Sequence, residues 1–361
     1  MRLFNCGHCG QRLYFENVSC TRCGATLGFL PDQLQLFSLD AAGGEQWQAH
    51  GGAGAYRMCG NYAQHRVCNW MVPLADGHDF CIACRLNQTI PDLGVEGNLD
   101  LWRILETEKR RLVYSLLRLG LPVVPRSAGD AALAFAFLAD TGPLFSEQGR
   151  VFTGHDEGLI TINIKEADPA ERERMREQMA EPYRTLLGHF RHESGHYYWD
   201  RLIRDTSHLQ EFRNLFGDDT LNYGSALDHY YQQGAPLNWQ ENFISSYATM
   251  HPWEDWAETW AHYLHMVDTL ETAWQFGIGI RPKNATSTEE LSSHNFNPYR
   301  EESIDSLAEH WLPLTFALNS LNRSMGHAHA YPFVLSPKVI EKLGFVHRIV
   351  RQAGGGSARY D

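Results

Sequence analysis

Two kinds of residue cluster in this chain have the composition and spacing for metal chemistry. The first is His192-Glu193-Ser194-Gly195-His196. Two histidines four positions apart project from one helix face and can hold one ion through two imidazoles. The glutamate beside them is placed to hold a water rather than the metal. Zinc lowers the pKa of such a water toward neutrality, and a carboxylate can take its proton as it attacks a carbonyl. Gly195 adds to this reading: a glycine inside a helix costs about 1 kcal/mol relative to alanine, which makes sense where another part of the chain passes close by.

The second kind is cysteine. All eight fall in the first 84 residues, and the chain shows no secretory leader, so metal thiolates are expected rather than disulfides. Cys6-x2-Cys9-x10-Cys20-x2-Cys23 has zinc-ribbon spacing: two CxxC turns supply four thiolates to a closed, structural site. Gly7, Gly10 and Gly24 permit tight turns whose amides can point at sulfur. Cys59-x8-Cys68-x12-Cys81-x2-Cys84 is less regular and predicts a second structural zinc, with His65 or His78 as substitute ligands. One catalytic zinc and one or two structural ones are therefore expected.

A catalytic zinc needs three protein ligands and an open position. Trp199 and Leu202 occupy the places that a glycine and a third histidine would take in an HExxHxxGxxH pattern, so the third ligand must come from further along. The acidic, tryptophan-rich stretch after Pro252 offers Glu254, Glu258 and His262 on one helix face. One of these can ligate while the next accepts a hydrogen bond from a zinc-bound histidine. His189, one turn before the motif, reads as a bystander or as support for a ligand.

The elements that must position these groups can be outlined. Residues 1–97 are rich in Cys, Gly and aromatics, and predict short hairpins. Asn98 opens a helix with apolar spacing near 3.6, stopped by Gly120-Leu121-Pro122. Leu133/Phe135/Phe137 and Ile160/Ile162/Ile164 mark two strands. The charged segment from Glu171 begins a long helix predicted to run through His192 and His196, with Tyr183, Leu186, Leu187 and Phe190 as its apolar stripe. Helix resumes near Trp253 and returns at 303–323 and 336–350. The expected fold class is α+β, with domains at 1–97 (cysteine groups at 1–30 and 55–90) and 98–350, and a flexible tail at 351–361.

At this point the sequence resembles a known family: zinc-binding metallopeptidases with an N-terminal zinc-ribbon region, within the glutamate-ligand zincins. The resemblance covers nearly the whole chain. It rests on the paired cysteine groups, CNW at 68–70, IPDL at 90–93, HESGHYYWD at 192–200, YATMHPWEDWAETWAHYLH at 247–265 and YPFVLS at 331–336. It implies a zincin-like peptidase domain in which Glu193 is the general base. Glu254 would be the third zinc ligand, Glu258 the group supporting a histidine, and Tyr247 the donor to the substrate oxyanion. A shift of one helical turn would make Glu258 the ligand instead. In such folds an edge strand usually pairs with an extended substrate, and Leu159–Lys165 is the expected one.

Charge narrows the partners. The chain carries 31 Lys+Arg against 43 Asp+Glu, a formal net charge of −12. Residues 1–97 contain six Arg, no Lys and eight Asp+Glu. Such surfaces repel phosphate backbones, which argues against nucleic acid and favours a protein partner for the zinc-ribbon region. A peptide or protein is the expected substrate, and a cytoplasmic location without membrane contact is expected. The alternative function is a catalytically silent zinc-binding scaffold or regulator.

Overall fold

The computed structural model describes all residues except 53, 130–131, 141–150, 152, 179–184, 286, 288–290, 294 and 356–361. Tyr183 and the tail beyond 355 thus lie outside the described residues. The fold is α+β, and the chain forms two compact units, Arg2–Glu193 and Ser194–Ala358. The division falls inside one continuous helix.

The first unit begins with a two-stranded ladder, β1 (Phe4–Asn5) and β2 (Arg12–Leu13), flanking the first CxxC turn. An antiparallel meander follows: β3 (Leu27–Leu30), β4 (Gln35–Gly43), β5 (Gln46–Ala49), β6 (Ala55–Met58) and, after the short helix α1 (Gly60–His65), β7 (Met71–Pro73). Phe15 packs edge to face on Phe29 and Trp70 behind it, with Phe15 and Phe29 centroids 5.0 Å apart. Tyr114 of α2 (Asn98–Arg118) completes this aromatic core, 5.3 Å from Phe15.

Helix α2 connects two parallel strands, β8 (Asn87–Thr89) and β9 (Ala134–Leu138). Beneath it lies a buried polar network. Glu106 accepts from Trp102 Nε1 (3.2 Å), Asn87 Nδ2 (2.7 Å) and Lys109 Nζ (2.7 Å), so neither charge is left unpaired. With β10 (Gly154–Asp156) and β11 (Leu159–Asn163) these strands form a sheet in the order β10-β11-β9-β8. Strand β9 is buried on both faces because it is parallel to both neighbours, and Ala134 and Ala136 fill the face opposite Phe135 and Phe137.

Two expectations are corrected here. Leu159–Lys165 is not an edge strand: β11 lies between β9 and β10, and 164–167 turns into a 3-10 helix. Among the described residues the edge on that side is the short β10. The single long helix is in fact two, α3 (Pro169–Gln178) and α4 (Leu186–Leu202). Thr185 stands outside both, and its hydroxyl accepts from Gly188 N at 2.9 Å, an N-cap that starts α4 afresh. Phe190 anchors the beginning of α4 against Phe135 (5.6 Å) and Phe137 (6.2 Å).

The second unit is helical. After α4 come α5 (Leu209–Phe216), α6 (Tyr223–Gln233), α7 (Pro252–Phe276), α8 (Ile304–Ser324) and α9 (Pro337–Ala353). Helix α9 therefore extends into the stretch expected to be tail. Helix α7 is apolar around much of its circumference and buried along most of its length, as a central helix must be. Trp256 packs on Trp260, Phe212, Phe216 and Phe345. A buried ion pair ties α7 to α9: Lys342 Nζ lies 2.6 Å from Asp255 Oδ2 and donates to Asn242 O at 2.7 Å. Burial still pushes the Asp255 carboxyl up to about 7 against the pull of Lys342. No described helix is long and apolar enough to cross a membrane.

Candidate metal centres

Helix α7 starts where its sequence says it should. Pro252 occupies the first turn, and the His251 ring caps it, Nδ1 accepting from Trp253 N at 3.1 Å while Nε2 donates to Leu221 O at 3.1 Å. The helix then passes so close to α4 that a side chain at position 195 would collide with it. A Cβ on Gly195 would stand 2.9 Å from Ala257 Cα and 3.2 Å from Trp260 Cδ1. The close approach expected from that glycine is the α4–α7 contact. Two indoles lock it: Trp256 Nε1 donates to Gly195 O (2.8 Å) and Trp260 Nε1 to Ser194 Oγ (3.1 Å). The Tyr198 ring stacks on Trp260 at 4.9 Å.

This packing brings the N-terminal turn of α7 to the histidines of α4. Glu254 Oε1 lies 3.4 Å from His196 Nε2, and one ligand atom from each of His192, His196 and Glu254 falls within 4.8 Å of the other two. All three are buried. Two imidazoles and a carboxylate are the donor set of a three-ligand zinc site, and the spacing fits a single ion. The Trp253 ring covers His196 at 4.0 Å. Glu193 is buried beside His192 on α4.

Of the two glutamates left open by the sequence, only Glu254 joins this group. Glu258, one turn on, accepts a hydrogen bond from Ser245 Oγ at 2.6 Å. His262, a further turn along, pairs through Nδ1 with the Tyr331 hydroxyl at 2.8 Å. His189 faces Glu166 on the 3-10 turn after β11, with Nδ1 2.5 Å from Oε2.

Tyr247 sits on a 3-10 turn just before α7. Burial, then the nearby Glu254 carboxylate and the Tyr223 phenol, pushes its hydroxyl well above the ordinary tyrosine range, so it is a proton-bearing donor at any physiological pH. Tyr223 was missed by the sequence reading. It begins α6, and its hydroxyl donates to Glu254 Oε1 at 2.9 Å while its ring packs against His251 and Trp253. It lies in a polar, aromatic stretch with no motif around it, and no sequence signal distinguishes it from its neighbours.

The cysteines gather into two groups of four, each with all sulfurs within 4.8 Å of one another. In the first, Cys6 and Cys23 sulfurs are 3.6 Å apart, as are those of Cys9 and Cys20. The two turns are built alike: Gly10 and Gly24 take φ of +72° and +74°, and their amides donate to Cys6 O (2.8 Å) and Cys20 O (2.9 Å). The Cys23 amide holds the Cys20 thiol down to about 6, in the thiolate form that binds zinc. The second group, Cys59, Cys68, Cys81 and Cys84, is buried throughout. Amides point at its sulfurs, Cys81 N at Cys59 Sγ and Trp70 N at Cys68 Sγ, both at 3.3 Å. Neither His65 nor His78 belongs to that group; the His65 ring packs against Trp102 at 5.7 Å.

A β-rich four-cysteine region followed by a helical lobe with a His/His/Glu cluster defines a class, the zinc-ribbon-bearing zinc-binding metallopeptidases. Residues 98–349 match the family model described as "Putative zinc-binding metallo-peptidase", residues 3–95 match a zinc-ribbon domain, and the chain belongs to that metallopeptidase family. Similar full-length relatives are three uncharacterized proteins, one of Mycobacterium bovis and two of Mycobacterium tuberculosis. Each is 43% identical over 355 residues, covering 97% of this chain and 95% of the relative. No solved structure matches the chain significantly.

Proposed function

We propose that this protein hydrolyses peptide bonds, with His192, His196 and Glu254 holding a catalytic zinc. The observation that carries the reading is the convergence of those three side chains in a buried cluster. Bound there, zinc would supply Lewis-acid polarisation of a carbonyl and a water acidic enough to act near neutral pH. Glu193 takes the proton from the attacking water and returns it to the leaving amine. Tyr247 donates its hydroxyl proton in a hydrogen bond to the developing oxyanion. Tyr223 orients the Glu254 carboxylate, and Glu258 supports the turn that carries Tyr247 through Ser245, whose Oγ also accepts from Ala248 N at 3.1 Å.

In this reading residues 1–97 are a zinc-ribbon region with two structural zincs, and the peptidase domain runs from 98 through the end of α9 at Ala353. The eight unbridged thiols suit a cytoplasmic location, and the ribbon region docks a protein partner rather than nucleic acid. The test is Glu193→Gln, profiled on a peptide library with and without chelator. The variant is expected to keep its full zinc content and lose about 10²–10⁴-fold in hydrolysis, the range a general base contributes. Undiminished hydrolysis by that variant would remove Glu193 as the general base, and a wild-type protein that binds zinc and cuts nothing would replace the peptidase reading with that of a zinc-binding scaffold.

A further inference from the structure

One more set of metal-ligating side chains converges in the ribbon region, and it contains no cysteine. His8 lies between the paired cysteines of the first CxxC turn, Asp40 on β4, and His50 just beyond β5. His8 Nε2 is 3.1 Å from one Asp40 carboxylate oxygen, and His50 Nδ1 is 2.9 Å from the other. The two imidazoles stack 3.9 Å apart, and one ligand atom from each of the three residues lies within 4.8 Å of the others. Donor atoms on a tetrahedral zinc stand about 3.3 Å apart, given bonds of about 2.0–2.1 Å.

The backbone is shaped to permit this approach. His50 N donates to Ser38 O at 2.9 Å, which brings the hairpin end over the cysteine turn. A Cβ on Gly7 would stand 2.9 Å from Ser38 Oγ and 3.1 Å from His50 Cδ2, so the glycine makes room for the His50 ring. Gly7 has no left-handed φ to explain it, unlike Gly10 and Gly24. The hydrogen bond from His50 also holds the Asp40 carboxyl below the usual carboxylate range.

We propose that His8, Asp40 and His50 form a further metal site, taking a divalent ion of the zinc type through two imidazoles and one carboxylate. The side chains are 33%, 48% and 40% exposed, so the ion would exchange with solvent, unlike one closed in by four cysteines. Two nitrogens and one oxygen suit borderline ions such as Zn²⁺ rather than Mg²⁺ or Ca²⁺. The remaining coordination position is open to water or to a side chain of a docked protein. An ion here would bridge the first cysteine turn to the β4–β5 hairpin, making the exposed face of the ribbon responsive to free metal.

The test is equilibrium dialysis of the full-length, zinc-loaded protein against stepwise increases of free Zn²⁺, with metal counted per chain. The wild type is expected to bind one more equivalent than His50→Asn or Asp40→Asn. That equivalent should leave with a mild chelator that spares cysteine-bound zinc. Equal zinc in wild type and in variants with unchanged circular dichroism would overturn the site and leave a hydrogen-bonded cluster only. A variant-free measurement guards against misfolding: the His8 and His50 imidazole NMR signals must shift together on addition of one equivalent. No shift overturns the proposal.

Discussion

The four-cysteine groups and the His/His/Glu cluster are both sets of metal-ligating side chains, built in opposite ways. Around the first cysteine group little besides the ligands holds the turns: it is partly exposed, its flanking strands β1 and β2 are two residues each, and its ligands come from two nearly identical turns. In the helical unit the order is reversed. Tryptophans, a buried Asp255–Lys342 pair and the α4–α7 contact make a framework from organic side chains, and His196 and Glu254 sit on it. Metal is expected to make the fold in one region, and the fold to make the metal site in the other.

The widest separation between the two should come from removing one ligand in each. Structural zinc contributes about 10–16 kcal/mol in small zinc domains, so Cys20→Ser is expected to unfold the two turns of the first cysteine group, seen as fast amide exchange confined to the residues around Cys6–Cys23. His192→Ala should release one zinc and leave the helical unit's exchange protection intact. Collapse of both regions in both variants would erase the distinction.

Next in size is an acid effect that belongs to the helical framework rather than to metal. His347 is buried against Tyr263, its Nδ1 3.0 Å from the hydroxyl, and burial, with Arg351 adding, lowers its pKa from 6.5 to about 4. Its neutral form stabilises the fold fully above about pH 6.5, and that contribution is lost as pH falls toward 4, about 3 kcal/mol in all. Urea denaturation across that range should show the slope in metal-free protein, and His347→Gln should flatten it.

Gly195→Ala probes the helix crossing. Because the new Cβ meets Ala257 backbone, which cannot rotate away, the expected cost is about 1–3 kcal/mol, with weaker zinc retention in a chelator competition. A variant as stable as wild type would mean that the two helices yield more easily than their packing implies. The smallest effect is expected at Tyr223→Phe: the hydroxyl on Glu254 is lost, and zinc affinity should fall about tenfold with thermal stability unchanged.

Much of the chemistry was readable along the chain because it is local. A CxxC turn followed by glycine carries its ligands and its conformation within a few residues, and an i, i+4 histidine pair needs only a helix. Gly195 could be recognised as a point of close approach from its cost alone, although not what approached. Thr185 shows the limit of the same method: a charged helix and an apolar stripe read as one element, while a single hydroxyl starts the second helix.

By itself, then, the sequence determined which residues are ligand candidates, the α+β class, and where candidates for a third ligand lie, because residue type and short-range periodicity are written in it directly. Tertiary structure alone decided that Glu254 and not Glu258 reaches the histidines, that Tyr223 steadies it, that β11 is an inner strand, and that His8, Asp40 and His50 meet. Each of those depends on the register between elements far apart in the chain. For Glu254 that register is set by how Trp256, Trp260 and the absent side chain at Gly195 allow α4 and α7 to pack.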